Sequence, residues 1–174
     1  NRREQKSVKK FAIIGGSFNP VTKAHVEIGQ IASKELPGWQ ILYIPAPDRF
    51  LTSWKAMEKN DILSGEQRLN LLRKAVEPHG FLCEDCEVHL KTSAKTYDTM
   101  QYLRVQYGQD TQLVYVCGTD KLSELSIWYK AEGIFELSRF LVIPRDGDEP
   151  EKMIKEIPFL KERRDRILIS HEPR

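Results

Sequence analysis

Residues 11–30 read FAIIGGSFNPVTKAHVEIGQ. A short apolar run enters two glycines, then a serine, a proline and a histidine, and continues into apolar residues at helical spacing. The pattern predicts a buried strand over 9–16, a tight bend, and a helix over 23–36 that ends near Pro37 and Gly38. The bend is neither G-x-G-x-x-G nor G-x-x-x-x-G-K-[ST], so it is not a dehydrogenase fingerprint or a P-loop. It still carries the parts of a phosphate site. Gly15 and Gly16 let a ligand approach the backbone without a Cβ in the way. Ser17 has a hydrogen-bond donor, and Pro20 stiffens the turn. The helix start aims free N–H groups and its positive dipole end at the same space. Thr22 and His25, three apart, share a face there.

Outward from this bend, strands and helices alternate. Strands are predicted over 39–46, 81–90, 111–118, 139–144 and 166–170. Helices are predicted over 64–78 (Ser64 as N-cap before Gln67), over 96–108 closed by Gly108, and over 149–164 despite Pro158. Two short helical pieces lie around 121–125 and 128–137, and residues 47–61 read as a polar loop. Near-continuous apolar strands alternating with helices predict an α/β fold. The sheet is doubly wound, Rossmann-like and parallel, with five to six strands and helices on both faces. Ligands in such sheets bind beyond the carboxyl ends of the strands. That rule points to 15–25, 44–54, 118–120 and 144–145.

The chain has 174 residues, 27 basic and 25 acidic, for a formal charge of +2. That length suits one domain. Residues 1–10 read as a basic tail or linker and 11–174 as a single domain. The formal charge is too small to argue for a nucleic-acid surface on its own. No apolar run reaches the ~20 residues needed to span a bilayer, and no apolar segment follows NRREQKSVKK to make a secretion signal. Three cysteines suggest a reducing, cytoplasmic setting. Cys83 and Cys86 form a C-x-x-C near His79 and His89. A zinc site is the minor reading, because no second C-x-x-C exists and in a strand these thiols would face opposite ways.

Gly16-Ser17-Phe18-Asn19-Pro20-x-Thr22-x-x-His25 resembles the nucleotidyltransferase signature of the nicotinate/nicotinamide mononucleotide adenylyltransferases, in its Thr form. CGTDKLSELSIWYKAEGIF (117–135) is similar to that family's Gly-x-Asp-x-Leu segment with Trp eight residues after Asp. FLVIPR (140–145) resembles its strand ending in Arg, and TYDTM (96–100) its helix start. The chain departs from bacterial relatives at Leu90 and at Ala94-Lys95-Thr96, where they often carry Arg and Ser-Tyr-Thr. The family's closing Ile-Ser-Ser-Thr-x-x-Arg is not matched by ILISHEPR (167–174), where Ser170 and Arg174 do not fit, so the domain's C-terminal end is expected to be incomplete.

The resemblance implies transfer of an adenylyl group from ATP to nicotinate (or nicotinamide) mononucleotide, giving deamido-NAD (or NAD) and pyrophosphate in NAD biosynthesis. It implies His25 as the α-phosphate donor with Thr22 beside it. Gly15, Gly16, Ser17, Phe18, Lys55, Gly118, Asp120 and Arg145 would hold ATP. Trp128, Thr96 and Thr99 would hold the pyridine nucleotide. Mg²⁺ is expected on the triphosphate, with no protein metal site. Small molecules are the expected partners, with neither nucleic acid nor membrane; a homo-oligomer or a fusion to another domain stays open. Competing readings are a phosphopantetheine or phospho-alcohol nucleotidyltransferase, and a non-catalytic pyridine-nucleotide sensor.

Overall fold

The computed structural model describes residues 8–48 and 62–171. Its strands are β1 (Lys10–Gly16), β2 (Gln40–Pro45), β3 (Leu82–Cys83), β4 (Gln112–Gly118), β5 (Ser138–Ile143) and β6 (Ile167–Ile169). Its helices are α1 (Lys23–Glu35), α2 (Gly65–Val76), α3 (Thr96–Tyr107), α4 (Ala131–Leu137), α5 (Pro150–Glu156) and α6 (Pro158–Lys161). All six strands pair in parallel in the order β3-β2-β1-β4-β5-β6. This is the doubly wound order, with its switch point between β1 and β4. Among the described residues, no helix is long and apolar enough to cross a membrane.

Strand alternation sorts the core into two layers. Phe11 and Ile13 of β1 pack with Met100 and Leu103 of α3 and Ile134 of α4 on one face. Ala12 and Ile14 pack with Ile31 and Ala32 of α1 and Leu72 and Val76 of α2 on the other. The α2 start closes as expected: the Gln67 amide donates to Ser64 Oγ at 3.1 Å and the Ser64 amide to Gln67 Oε1 at 2.9 Å.

Three local readings are corrected. The strand expected over 81–90 stops at Cys83. Its polar continuation folds back on itself: the Asp85 carboxylate takes His89 Nδ1 at 2.9 Å and Lys91 Nζ at 3.1 Å, and the Lys91 amide reaches the Cys86 carbonyl at 2.8 Å. Side chains that bond locally compete with the ladder, and at the sheet edge they win. The helix expected over 149–164 breaks at Ile157, held at φ −112° and ψ 105°, because Pro158 excludes helical geometry from the residue before it. Trp128 lies in extended backbone, and α4 begins only after Lys130, at φ +52°.

Gly29, mid-way along α1, has no room for a side chain. An added Cβ would overlap the Tyr43 hydroxyl and lie 2.9 Å from Phe81 Cε2. Glycine to alanine inside a helix ordinarily stabilises by about 1 kcal/mol. Here the sign should reverse: Gly29→Ala is expected to lose about 1–3 kcal/mol by overpacking, read from the midpoint of urea unfolding. Tyr43 is fully buried and donates to the His25 carbonyl at 2.8 Å, so this clash would also disturb the start of α1.

Candidate active site

The loop after β1 is fixed from three sides. Gly16 accepts from the Ala46 amide at 2.8 Å, which ties the end of β1 to β2. Phe18 sits at φ +48° with a cis Asn19–Pro20 bond after it, and its buried ring meets His25 edge-on at 5.0 Å and Tyr43 at 5.7 Å. Arg68 of α2 braces the loop from below. Its guanidinium, fully buried, donates to the Ser17 carbonyl at 2.7 Å, to Asp48 Oδ1 at 2.7 Å and to the Leu63 carbonyl at 3.3 Å. Asn19 Oδ1 accepts from the Leu63 amide at 2.8 Å.

Helix α1 begins in a reciprocal cap between Thr22 and His25. The Thr22 amide donates to His25 Nδ1 at 2.9 Å, and the Thr22 hydroxyl lies 3.1 Å from the same nitrogen. A backbone N–H can only donate, so Nδ1 is an acceptor. In the neutral ring the proton therefore stands on Nε2. The cap sets the tautomer and makes His25 a donor toward the bend.

Two cavities open at the carboxyl ends of β1 and β4, of about 460 and 480 Å³. Trp128, Thr96, Thr99 and Ser17 line the first. His25, Phe18, Gly118, Asp120 and Arg145 line the second. Gly15 and Gly16 border both. The expected pyridine-side and nucleotide-side residues thus separate into two adjoining spaces. Ser17, expected with the nucleotide phosphates, lies instead on the first. Lys55 and Trp54 lie outside the described residues.

In the first cavity, Trp128 Nε1 donates to Glu124 Oε1 at 3.2 Å, and its ring meets Tyr115 edge-on at 5.6 Å. Thr99 is buried; its hydroxyl donates to Glu87 Oε2 at 2.8 Å, with Thr92 Oγ1 at 3.1 Å. Its proton is committed to Glu87, which itself lines the cavity. In the second, the Arg145 amide donates to Asp148 Oδ2 at 2.9 Å. That bond, ahead of the Thr119 hydroxyl and the Arg145 charge, holds the Asp148 carboxyl below the usual range. Cys117 lies in the same wall, where burial pushes its thiol up to about 12. It is no thiolate nucleophile at neutral pH.

Among the described residues no group of three or more His, Cys, Asp or Glu is placed to hold an ion. Cys83 packs toward one face of the sheet and Cys86 toward the other, and burial raises both thiols.

Sequence reasoning missed four site residues: Arg68, Tyr115, Lys121 and Glu87. Arg68 alone could have been found, because positions 65, 68, 69, 72 and 76 form the buried stripe of α2 and one of them is charged.

A parallel sheet in this order, with a capped helix facing a glycine bend at the switch point, defines a nucleotide-binding domain of the doubly wound class. The profile of the cytidylyltransferase-like family matches residues 13–171, and the chain belongs to that family. It is 29% identical over 149 residues to a Clostridium perfringens protein named a probable nicotinate-nucleotide adenylyltransferase, covering 85% of this chain and 71% of that one. Its fold matches that of Plasmodium falciparum nicotinic acid mononucleotide adenylyltransferase, solved with APC and with NaAD. Both give a TM-score of 0.69 at 18% identity, over 95% of this chain and 76% of the other. These relatives agree with the resemblance read from the motifs.

Proposed function

We propose that this protein is a nicotinate (or nicotinamide) mononucleotide adenylyltransferase. The observation that carries the reading is the pair of cavities meeting at Gly15 and Gly16, one walled by Trp128 and the other faced by His25. A mononucleotide in the first and ATP in the second would bring two phosphates together over the glycines.

An oxygen of the mononucleotide phosphate attacks the α-phosphorus of ATP in line. The new P–O bond forms as the bond from the α-phosphorus to the α,β-bridging oxygen breaks, and the electron pair leaves on pyrophosphate. The nucleophile is already anionic, so no proton must move. Catalysis is then orientation and charge: well-placed reactants contribute ~7–11 kcal/mol, and preorganised donors a few kcal/mol each. His25 donates from Nε2 to the α-phosphate, with Thr22 fixing its ring. The backbone of Gly16 and Phe18 and the side chain of Arg145 serve the nucleotide, and Asp120 accepts from ribose hydroxyls. Mg²⁺ enters on the triphosphate as part of the substrate, since it keeps most of its waters and needs no protein cage.

Pyrophosphate release tests the reading, measured with ATP and each pyridine mononucleotide, and with ATP or CTP and phosphopantetheine or a phospho-alcohol. Release only with the latter acceptors refutes it. Binding of a pyridine mononucleotide without release favours a sensor.

Trp128 supplies a second check. A pyridine ring stacked on it should quench its fluorescence, and Trp128→Phe should abolish most of that quenching while raising the mononucleotide KM about tenfold, on the ~1–3 kcal/mol scale of ring stacking. Equal quenching in the two proteins, with Trp39 and Trp54 still present, would exclude Trp128 as the stacking partner.

A further inference from the structure

The two cavities share four lining residues: Gly15, Gly16, Tyr115 and Lys121. Two have no side chain and one is a neutral ring. Among the described residues, Lys121 is the charged side chain that lines both spaces. Lys95 borders only the first, with its ammonium 4.5 Å from the centre of the Tyr129 ring. Arg145 borders only the second.

Lys121 stands in the 3-10 turn Thr119–Ser123 that follows β4. Its ammonium lies 3.6 Å from Glu124 Oε1, beyond hydrogen-bond range. That same oxygen accepts from Trp128 Nε1 at 3.2 Å. Both members of the ion pair are over two-fifths exposed, and such pairs hold their partners weakly. Glu124 therefore keeps the lysine near the junction without consuming its charge. A flexible, compact cation in this place can turn to whichever anion arrives.

Resting on the reading of the previous subsection, we propose that Lys121 is a further catalytic residue, one that contacts both phosphates as they meet. Two anionic phosphates a few ångströms apart repel strongly in a site partly shielded from water. A single ammonium between their non-bridging oxygens relieves that repulsion, and relieves it most when the two are closest. It forms no covalent bond and gives up no proton.

The test uses the full chain with Lys121→Met, which keeps the stem and removes the charge, and Lys121→Arg, which restores it. Equal thermal midpoints establish that the variants fold. Lys121→Met should lower kcat about tenfold. Titration calorimetry should show ATP and the mononucleotide each bound about threefold more weakly. Lys121→Arg should recover most of both. A loss confined to one ligand would make Lys121 a wall residue of one cavity and overturn the proposal. So would no loss in either affinity, or an arginine variant as impaired as the methionine one. Calorimetry needs no turnover. Absence of pyrophosphate release by the unaltered protein would refute adenylyl transfer and with it a catalytic Lys121, while the two affinities would still show whether Lys121 contacts both ligands.

Discussion

His25→Ala is expected to slow adenylyl transfer at least ~10²-fold at saturating substrates, the cost of one lost transition-state donor, ~2.7–4 kcal/mol. Substrate affinities should change far less, because a donor aimed at developing charge acts mainly in the transition state. The same substitution removes the acceptor of the Thr22 amide and should cost the fold about 1 kcal/mol, as a lost helix cap does. The two effects are separable. A cap loss lowers the thermal midpoint and leaves the turnover of the folded fraction intact. Turnover within threefold of the unaltered protein, in a folded variant, would take His25 out of the chemistry.

Arg68→Ala should be the most destabilising single change in the site, at about 3–5 kcal/mol from two stranded acceptors and the void left behind. It strips donors from the Ser17 and Leu63 carbonyls, and a buried acceptor left alone costs about 1–3 kcal/mol. It also leaves a void where a fully buried side chain stood. Asp48 adds little to this, because its carboxylate is 60% exposed and stays hydrated. Arg68→Lys should recover only part, since one ammonium cannot reach three diverging acceptors as a planar fork does. Chemical denaturation measures the first effect, and ATP affinity of the lysine variant reads how far the Ser17 loop has slackened. A loss under about 1 kcal/mol for alanine would mean that the brace is not holding the loop.

What could be read from residues alone was what short-range chemistry decides. Strand, glycine bend and α1 were legible because glycine, proline and a capping pair act over a few residues. The six-strand parallel sheet followed from alternation and handedness. The Trp128 and Asp120 segment was legible as a motif, although the backbone of Trp128 was not: it lies in an extended joint fixed by packing. The strand beginning at Leu82 looked long because Cys86, Val88 and Leu90 alternate with polar residues beyond it. Its end depends on Asp85 finding His89 and Lys91, a contest that propensity does not register. Arg68 lies fifty-one positions from Ser17, and Lys121 lies far along the chain from the Gly15–Gly16 bend that it faces. Contacts of that span are decided by the sheet order, so the division of the site into two spaces, and the lysine between them, became visible only in three dimensions.

The pairing of β1 with β4 joins Lys10 to Gln112, across roughly a hundred residues of intervening chain. Both cavities hang on that seam. A nascent chain therefore holds no half-built pocket: nothing can bind until most of the polypeptide has emerged and its most widely separated pair of neighbouring strands has met, the slow kind of event in folding. Substrate affinity is in consequence a report on the whole domain. Nucleotide at a hundred times its dissociation constant would add about 2.7 kcal/mol to global stability, and it would do so by holding shut the joint between β1 and β4 that both cavities border.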